Sequence, residues 1–472
     1  MSSTRPPLQA KYELLLENNG SSSTTKKNIL VAVITVGALL MTCITAYVSW
    51  WLLQPVIEAD FLHMNVPETV PMTLHMLKHR AKCYEKAFLQ LNSSKIDPII
   101  HVPARSPVPS SSPRVLKLVC YYSFPYKDDL KPERIDPGLC THINIASLAV
   151  TNKSLSEITP EISKVIKEVV ALKTQKPLLK VLLCIGGYSA PGGFNDMVKK
   201  HEDRKRFIRQ VLQVLKDYSL DGVDLDWEFP SWPEEDKQEK IDFNVLLREF
   251  REAFEEEHKP FLLSVAVGSP GSIIDQSYDV EEMAKHVDYV NLMAYDYHFY
   301  VWYFPVTGAN APLFRRPGEK GFLATLNTNW SSWYWVQKGM PKEKIVVGVP
   351  TYGHSFRLVN ADNHGWSAPV SDVGKLGSNG FVTYPEVCWF LTKEGAAHEY
   401  DMDSQVPYAY LGQEWVSYDD MRSIASKATY VANHFFAGVM VFSLNQDDYN
   451  GLCDGAPFVL TQQVRNVLFD QL

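Results

Sequence analysis

Asp224, Asp226 and Glu228 stand two residues apart in the run Asp221-Gly-Val-Asp224-Leu-Asp226-Trp-Glu228. On a strand, alternate side chains share a face, so the three carboxyls are predicted to form a ladder on one side. Like charges this close do not all ionise cheaply, and at least one carboxyl keeps its proton. A carboxylic acid that is still protonated near neutrality can hand its proton to a leaving oxygen, which is what breaking a glycosidic bond demands. Glu228 is last in the ladder, nearest the strand's open end, and is the predicted donor. Asp221 opens the strand and is expected to have a structural role. A metal site or a solvated acidic turn would use the same residue types. Neither requires Val223, Leu225 and Trp227 in strict alternation with the acids. No Cys/His spacing suggests zinc and no Gly-rich loop suits a phosphate, so neither metal nor cofactor is expected.

A ladder of this kind needs a rigid frame. From residue 115 onward, short apolar runs alternate with amphipathic stretches. The runs are 116–122, 142–149, 180–185, 222–227, 261–267, 289–294, 344–349 and 438–443. Helical patterns lie between them at 161–174, 203–218 and 237–257. Continuously apolar strands suit a parallel sheet buried on both faces. Eight of them in β/α alternation predict a (β/α)8 TIM barrel, with the active site at the strands' C-terminal ends. The stretch between the last two strands is too long for one helix, so residues 357–419 are predicted to form a small α+β insertion beside the cleft.

The chain has 472 residues, 46% of them hydrophobic, and a formal net charge of -8. That balance argues against nucleic acid as a partner. Residues 29–53 carry no charge and are long enough to cross a bilayer core of roughly 30 Å. Arg5, Lys11, Lys26 and Lys27 precede this run, and Trp50 and Trp51 close it. The positive-inside rule then predicts a single-pass type II membrane protein: cytosolic tail 1–28, transmembrane signal anchor 29–53, and the remainder lumenal or extracellular. Residues 54–114 read as a stem, ending in the Pro/Ser-rich HVPARSPVPSSSPR. Cys83 in the stem is a candidate for an interchain disulfide, with a free buried or capped thiol as the equal alternative. An oxidising compartment makes Asn92, Asn152 and Asn329 candidate glycosylation sites.

Taken together, Leu118-Val-Cys120-Tyr-Tyr, Cys140-Thr-His, Ile185-Gly-Gly, the Asp221–Pro230 run, Asn291-Leu-Met-Ala-Tyr-Asp296, Gly348-Val-Pro-Thr-Tyr-Gly353 and VPYAYLGQEWVSYDD carry a resemblance. Over residues 116–472 the chain resembles the family-18 glycoside hydrolases, in the animal chitinase and chitinase-like group. The resemblance implies a retaining, substrate-assisted mechanism on β-1,4-linked N-acetylglucosamine oligomers. Glu228 would be the general acid. Asp226 would orient the substrate's acetamido group, Asp224 would share a proton behind it, and Tyr295 would donate to the acetamido oxygen. Tyr121, Met293, Asp296 and Tyr352 would line the substrate site. The resemblance also implies the disulfides Cys120–Cys140 and Cys388–Cys453, and a buried Cys184.

Several sugar-contacting positions depart from the family pattern. Ser147 replaces an aromatic in the second strand. Tyr188 and Phe442 each replace a Trp, His354 replaces an Arg, and Trp302 is shifted by about one position in its loop. Phe keeps part of the stacking area of Trp and loses the indole donor. Phe442 stands at the floor position, and Tyr188, Trp302 and Tyr303 are candidates for alternative stacking or, equally, for core or loop packing. Two alternatives to a chitinase stay open: a chitinase-like lectin that binds N-acetylglucosamine-containing glycans, and a scaffold at the cell surface.

Overall fold

The computed structural model describes residues 115–124, 129–187, 193–233, 236–453 and 455–470. The anchor, the stem with Cys83 and Asn92, and Tyr188 lie outside these residues. Among the described residues, no helix is long and apolar enough to cross a membrane.

Eight parallel strands close into a barrel. They are β1 Lys117–Ser123, β2 His142–Leu148, β3 Lys180–Gly186, β4 Gly222–Asp226, β5 Leu262–Gly268, β6 Tyr289–Met293, β7 Ile345–Pro350 and β8 Gly438–Phe442. Each pairs with its neighbours in sequence, and β8 pairs with β1 to close the ring. All eight predicted strands are present, with ends that differ by a residue or two. Alternation sets the two faces of the sheet. Val223 and Leu225 of β4 join the core under the helices, while Asp224 and Asp226 take the interleaved positions.

The two long helices that follow β3 and β4 each bury one apolar stripe. In His201–Asp217 the stripe is Phe207, Ile208, Val211, Leu212 and Leu215, spaced for a single helical face. Lys237–Glu256 buries Phe243, Leu246, Leu247, Phe250 and Phe254, and its N-terminus is capped by the Asp236 carboxylate accepting from Gln238 N–H.

The insertion is a six-stranded antiparallel sheet. Its central strand, Tyr352–Leu358, follows β7 almost directly and pairs with Glu414–Ser417 on one edge. The sheet therefore begins at Tyr352, earlier than the predicted 357. The run FVTYPEVCWFL splits into a short strand, Phe381–Thr383, and a helix, Tyr384–Thr392. Glu386 turns back to accept from Thr383 N–H at 2.8 Å and closes the helix start. Cys388 on this helix bonds Cys453 after β8, and Cys120 bonds Cys140 across β1 and the start of β2.

Candidate active site at the barrel mouth

Asp224 is fully buried at the centre of the barrel. Its Oδ2 accepts from Tyr121 Oη at 2.5 Å, and its Oδ1 accepts from Ser264 Oγ at 2.6 Å and Asn291 Nδ2 at 3.0 Å. β1, β5 and β6 thus each place one donor on a carboxyl carried by β4. Burial raises the Asp224 pKa above the usual carboxylate value, and the hydrogen bonds oppose but do not cancel that effect. The neighbouring Cys184 thiol is pushed up by burial first and by Asp224 second. Cys184 is free and buried, as expected. Tyr121 also titrates well above its ordinary value, again chiefly through burial. Tyr121, which the resemblance places along the substrate, carries its hydroxyl on Asp224 and its ring against Phe442.

Asp226 follows at 7% exposure and ends β4. Gly186 and Gly187 make room for it. Gly186 has φ +110°, and a Cβ there would stand 2.2 Å from the Asp226 carbonyl oxygen, so only glycine fits. A Cβ on Gly187 would stand 3.4 Å from Asp226 Oδ2, so the backbone of the β3 turn forms one wall of this carboxylate's pocket. Ser147 donates to the Gly186 carbonyl at 2.8 Å and supports that turn. Glu228 lies just beyond the strand end and is half-buried. Trp227, between the two acids, points the other way. It stacks on Phe194 with centroids 5.4 Å apart and packs edge-on against Phe243. This aromatic clamp in the helical layer sets the direction in which the β4 carboxylates leave the strand. Asp221 takes the structural place expected of it, with Lys173 at 2.7 Å and Lys180 at 3.3 Å.

The far wall is built from β6, β8 and the insertion. Tyr295 stacks on Phe442 at 5.7 Å, and its hydroxyl faces Met440 Sδ at 3.8 Å. Phe442 also meets Tyr121 at 5.5 Å. Asp296 has φ 57°, a left-handed conformation that aspartate tolerates better than most residues. Its N–H donates to Asn310 Oδ1 at 2.9 Å, and Asn310 Nδ2 donates to the Tyr352 carbonyl at 3.0 Å. One oxygen of Asp296, Oδ1, accepts from Tyr352 Oη and contacts His354 Nε2, each at 2.7 Å. His354 is buried, so an imidazole occupies the place where the family pattern has a guanidinium. Tyr352 stacks on Phe381 of the insertion at 4.4 Å, which ties the insertion to the cleft.

Tyr121, Met293, Tyr295, Tyr352 and Phe442 therefore converge on one cluster inside the barrel. Trp302 stands apart from it. The residue is 72% exposed and touches Tyr303 edge to face at 5.7 Å. Ser264, Asn291, Asn310 and Phe381 escaped the sequence reading. A polar residue inside an apolar barrel strand was the available signal for Ser264 and Asn291. Among the described residues, no cluster of His, Cys, Asp and Glu is arranged to hold a metal. Of the sequons, Asn152 is exposed in a tight turn at φ 49°. Asn329 is half-buried, and its Oδ1 accepts from Tyr430 Oη at 3.0 Å.

Residues 117–447 match the family model described as glycosyl hydrolases family 18. Human chitinase-3-like protein 2 is 37% identical over 371 residues, which cover 75% of this chain and 92% of that protein. Chitotriosidase-1 of Mus musculus is 35% identical over 368 residues, covering 75% and 78%. A solved structure of human YKL-39, described as a pseudo-chitinase with retained chitooligosaccharide binding properties, aligns with a TM-score of 0.71 at 36% identity. That alignment covers 75% of this chain and all of the other. The barrel, the two disulfides and these matches agree, and the chain belongs to the glycosyl hydrolases of family 18.

Proposed function

We propose that this protein hydrolyses β-1,4-linked N-acetylglucosamine oligomers with retention of configuration, using Glu228 as general acid. The observation that carries this reading is the complete ladder, with Asp224 buried among three hydrogen-bond donors below Asp226 and Glu228 at the open end. Burial favours the protonated form of Asp224. A proton held there leaves Asp226 free to carry negative charge toward the substrate. The substrate's acetamido oxygen attacks the anomeric carbon as Glu228 protonates the departing glycosidic oxygen. Asp226 orients the acetamido N–H and stabilises the positive charge that develops on it. Tyr295 donates to the acetamido oxygen, and Met293 and the Tyr352–Asp296 pair shape that pocket. Water then opens the cyclic intermediate, with Glu228 acting as base.

Turnover of di- and tri-N-acetylchitooligosaccharides by the full chain tests the reading, with Glu228→Gln as control. Parent activity with a loss of about 10²–10⁴-fold in the variant supports it. No turnover of either substrate by the oxidised parent overturns it. A second reading, a lectin that binds such oligomers without cleaving them, draws on the altered platform at Ser147 and Phe442 and on the pseudo-chitinase relative. Binding without turnover would favour it.

The same proposal places the barrel outside the cytosol, anchored by residues 29–53 as a type II membrane protein. Two disulfides, one within the barrel and one tying the insertion to the segment after β8, fit an oxidising compartment. Asn152, in its exposed turn, is the most accessible of the described sequons. In sealed microsomes, added protease is expected to remove the N-terminal tail and to leave the lumenal barrel protected.

A further inference from the structure

Below the ladder, two polar side chains lie in the sealed part of the barrel. The rings of His142 on β2 and Tyr289 on β6 meet edge to face at the barrel floor, 5.7 Å apart. Two residues further along the same strands come Asn144 and Asn291, both fully buried. Two further still, Ala146 and Met293 pack in one cluster. Because alternate residues share a face, Asn144 and Asn291 form the layer between the floor and the cleft, each from its own side of the barrel.

Their hydrogen bonding is incomplete in a complementary way. Neither Nδ2 nor Oδ1 of Asn144 has a protein partner, and Oδ1 of Asn291 has none either. The Asn291 Nδ2, by contrast, donates to Asp224 Oδ1 at 3.0 Å and approaches Tyr121 Oη at 3.3 Å. Three unpaired amide atoms in a dry core would carry a heavy desolvation penalty. Buried waters characteristically occupy such places, each with two to four polar partners.

We infer that Asn144 and Asn291 hold a buried water between them, and that through it Asn144 fixes the amide orientation in which Asn291 donates to Asp224. The water accepts from Asn144 Nδ2 and donates to Asn291 Oδ1, while Asn144 Oδ1 stays open to a second water. With its oxygen held, the Asn291 amide does not flip. Asn144 is then a positioning residue for the ladder: it touches no substrate and acts on the Asp224 carboxyl from below. The inference deepens the proposed role of Asp224 and rests on that reading for its catalytic meaning. The titratable and charged groups around Asp224 are Tyr121 on β1, Cys184 on β3, Asp226 and Glu228 on or beyond β4, and Tyr289 on β6. Lys117 and His142 stand at the floor beside Tyr289. None of them belongs to Asn144, so its removal changes no charge directly.

Thermal melting of the full chain between pH 4 and pH 8 tests this. Without the water, the Asn291 donor is no longer held on Asp224, and the ionised form of Asp224 becomes less favourable. The melting gap between the parent and Asn144→Leu is therefore expected to widen by about 1–2 °C as pH rises. Asn144→Ser, which keeps a hydroxyl and leaves room for water, is expected to recover most of the loss, and Asn144→Ala to recover none. If Leu does not fit, the Ser and Ala variants carry the same comparison, with Ser pulling ahead of Ala as pH rises. A uniform rise in melting temperature for Asn144→Leu would overturn the inference, since it would mean that a dry, unpaired amide had been relieved. A Ser–Ala gap independent of pH would also overturn it. None of these readings requires turnover, so a protein that cleaves no oligomer overturns the proposed function and leaves this test standing.

Discussion

Tyr121→Phe removes one hydroxyl and leaves the ring in place against Phe442. That hydroxyl makes the shortest of the three hydrogen bonds to Asp224, at 2.5 Å. A hydrogen bond to a charged acceptor contributes about 1.5–3 kcal/mol, and one to a neutral acceptor about 1 kcal/mol. The entropy of unfolding is about 2.1 cal/mol/K per residue, so over the roughly 350 residues of the barrel, 1 kcal/mol corresponds to about 1.4 °C in melting temperature. The variant is therefore expected to melt about 1 °C lower where Asp224 is protonated, and about 2–4 °C lower where it is ionised.

The sign follows from the direction of the Asp224 shift. Burial raises its folded pKa above the ordinary 3.8. The stability linked to that raised value is fully present below pH 3.8 and is lost as pH rises through the folded value. Removing a donor raises the folded value further. The gap between parent and variant is thus smallest near pH 3.5 and widens toward neutrality. Melting curves at half-unit steps from pH 3.5 to pH 8 measure it. A gap that stays constant, or that shrinks with rising pH, would refute the assignment of a titrating carboxyl at Asp224 with Tyr121 as its donor. The Tyr121 hydroxyl itself titrates well above this range and does not confuse the measurement.

Three further outcomes are expected. Phe442→Trp enlarges the surface stacked on Tyr295 and restores an indole donor. In a Glu228→Gln background it should tighten tri-N-acetylchitotriose binding about 2–10-fold by calorimetry. Unchanged or weaker binding would show that Phe442 is not the floor of a sugar subsite. Gly186→Ala forces a Cβ against the Asp226 carbonyl at a left-handed φ, and should abolish folded expression or lower the melting temperature by more than about 5 °C. A variant within a degree of the parent would contradict the close approach of the β3 turn to β4. Replacing Cys388 and Cys453 together with Ser opens a loop with a sequence separation of 65. Loop-closure entropy puts the loss at about 4 kcal/mol, or about 6 °C, and the gap should vanish when both proteins are reduced.

What could be read in advance and what could not divide along a physical line. The eight strands and the ladder depend on local order. A strand with period two puts Asp224 and Asp226 on one face whatever surrounds it, and apolar runs bounded by turns mark strands without reference to partners. The far wall depends on contacts between residues distant in the chain. Asp296 is held by Asn310 from its own loop, and by Tyr352 and His354 from the insertion, 56 and 58 residues away. No spacing rule links those positions, and the left-handed conformation of Asp296 leaves no mark in composition. Ser147 shows the same limit. Read as the loss of an aromatic, it turns out also to brace the Gly186 carbonyl.

That division bears on how the protein works. The residues proposed to hold and move protons come from β1, β4 and its end, β5 and β6, and they are fixed by barrel register, which tolerates little change: a slip of one residue would send Asp224 into the helical layer. The residues proposed to hold sugar come from the end of β6, from loops, from β8 and from the insertion, where a substitution alters one contact and leaves the barrel intact. His354 stands at the seam between the two. It is buried with its Nε2 on Asp296 Oδ1, the oxygen that also accepts from Tyr352, so the arginine it replaces could not be regained by side-chain exchange alone. A longer, planar guanidinium would need space now filled by Phe299 and Phe381, whose rings lie 5.6 and 6.3 Å from the imidazole. His354→Arg is therefore expected to weaken oligomer binding rather than improve it, with the Asp224 ladder undisturbed. Calorimetry beside the pH-resolved melting of the same variant separates the two effects. Binding tighter than that of the parent would mean that the wall can reopen, and that the imidazole is not packed against Asp296 as tightly as these distances require.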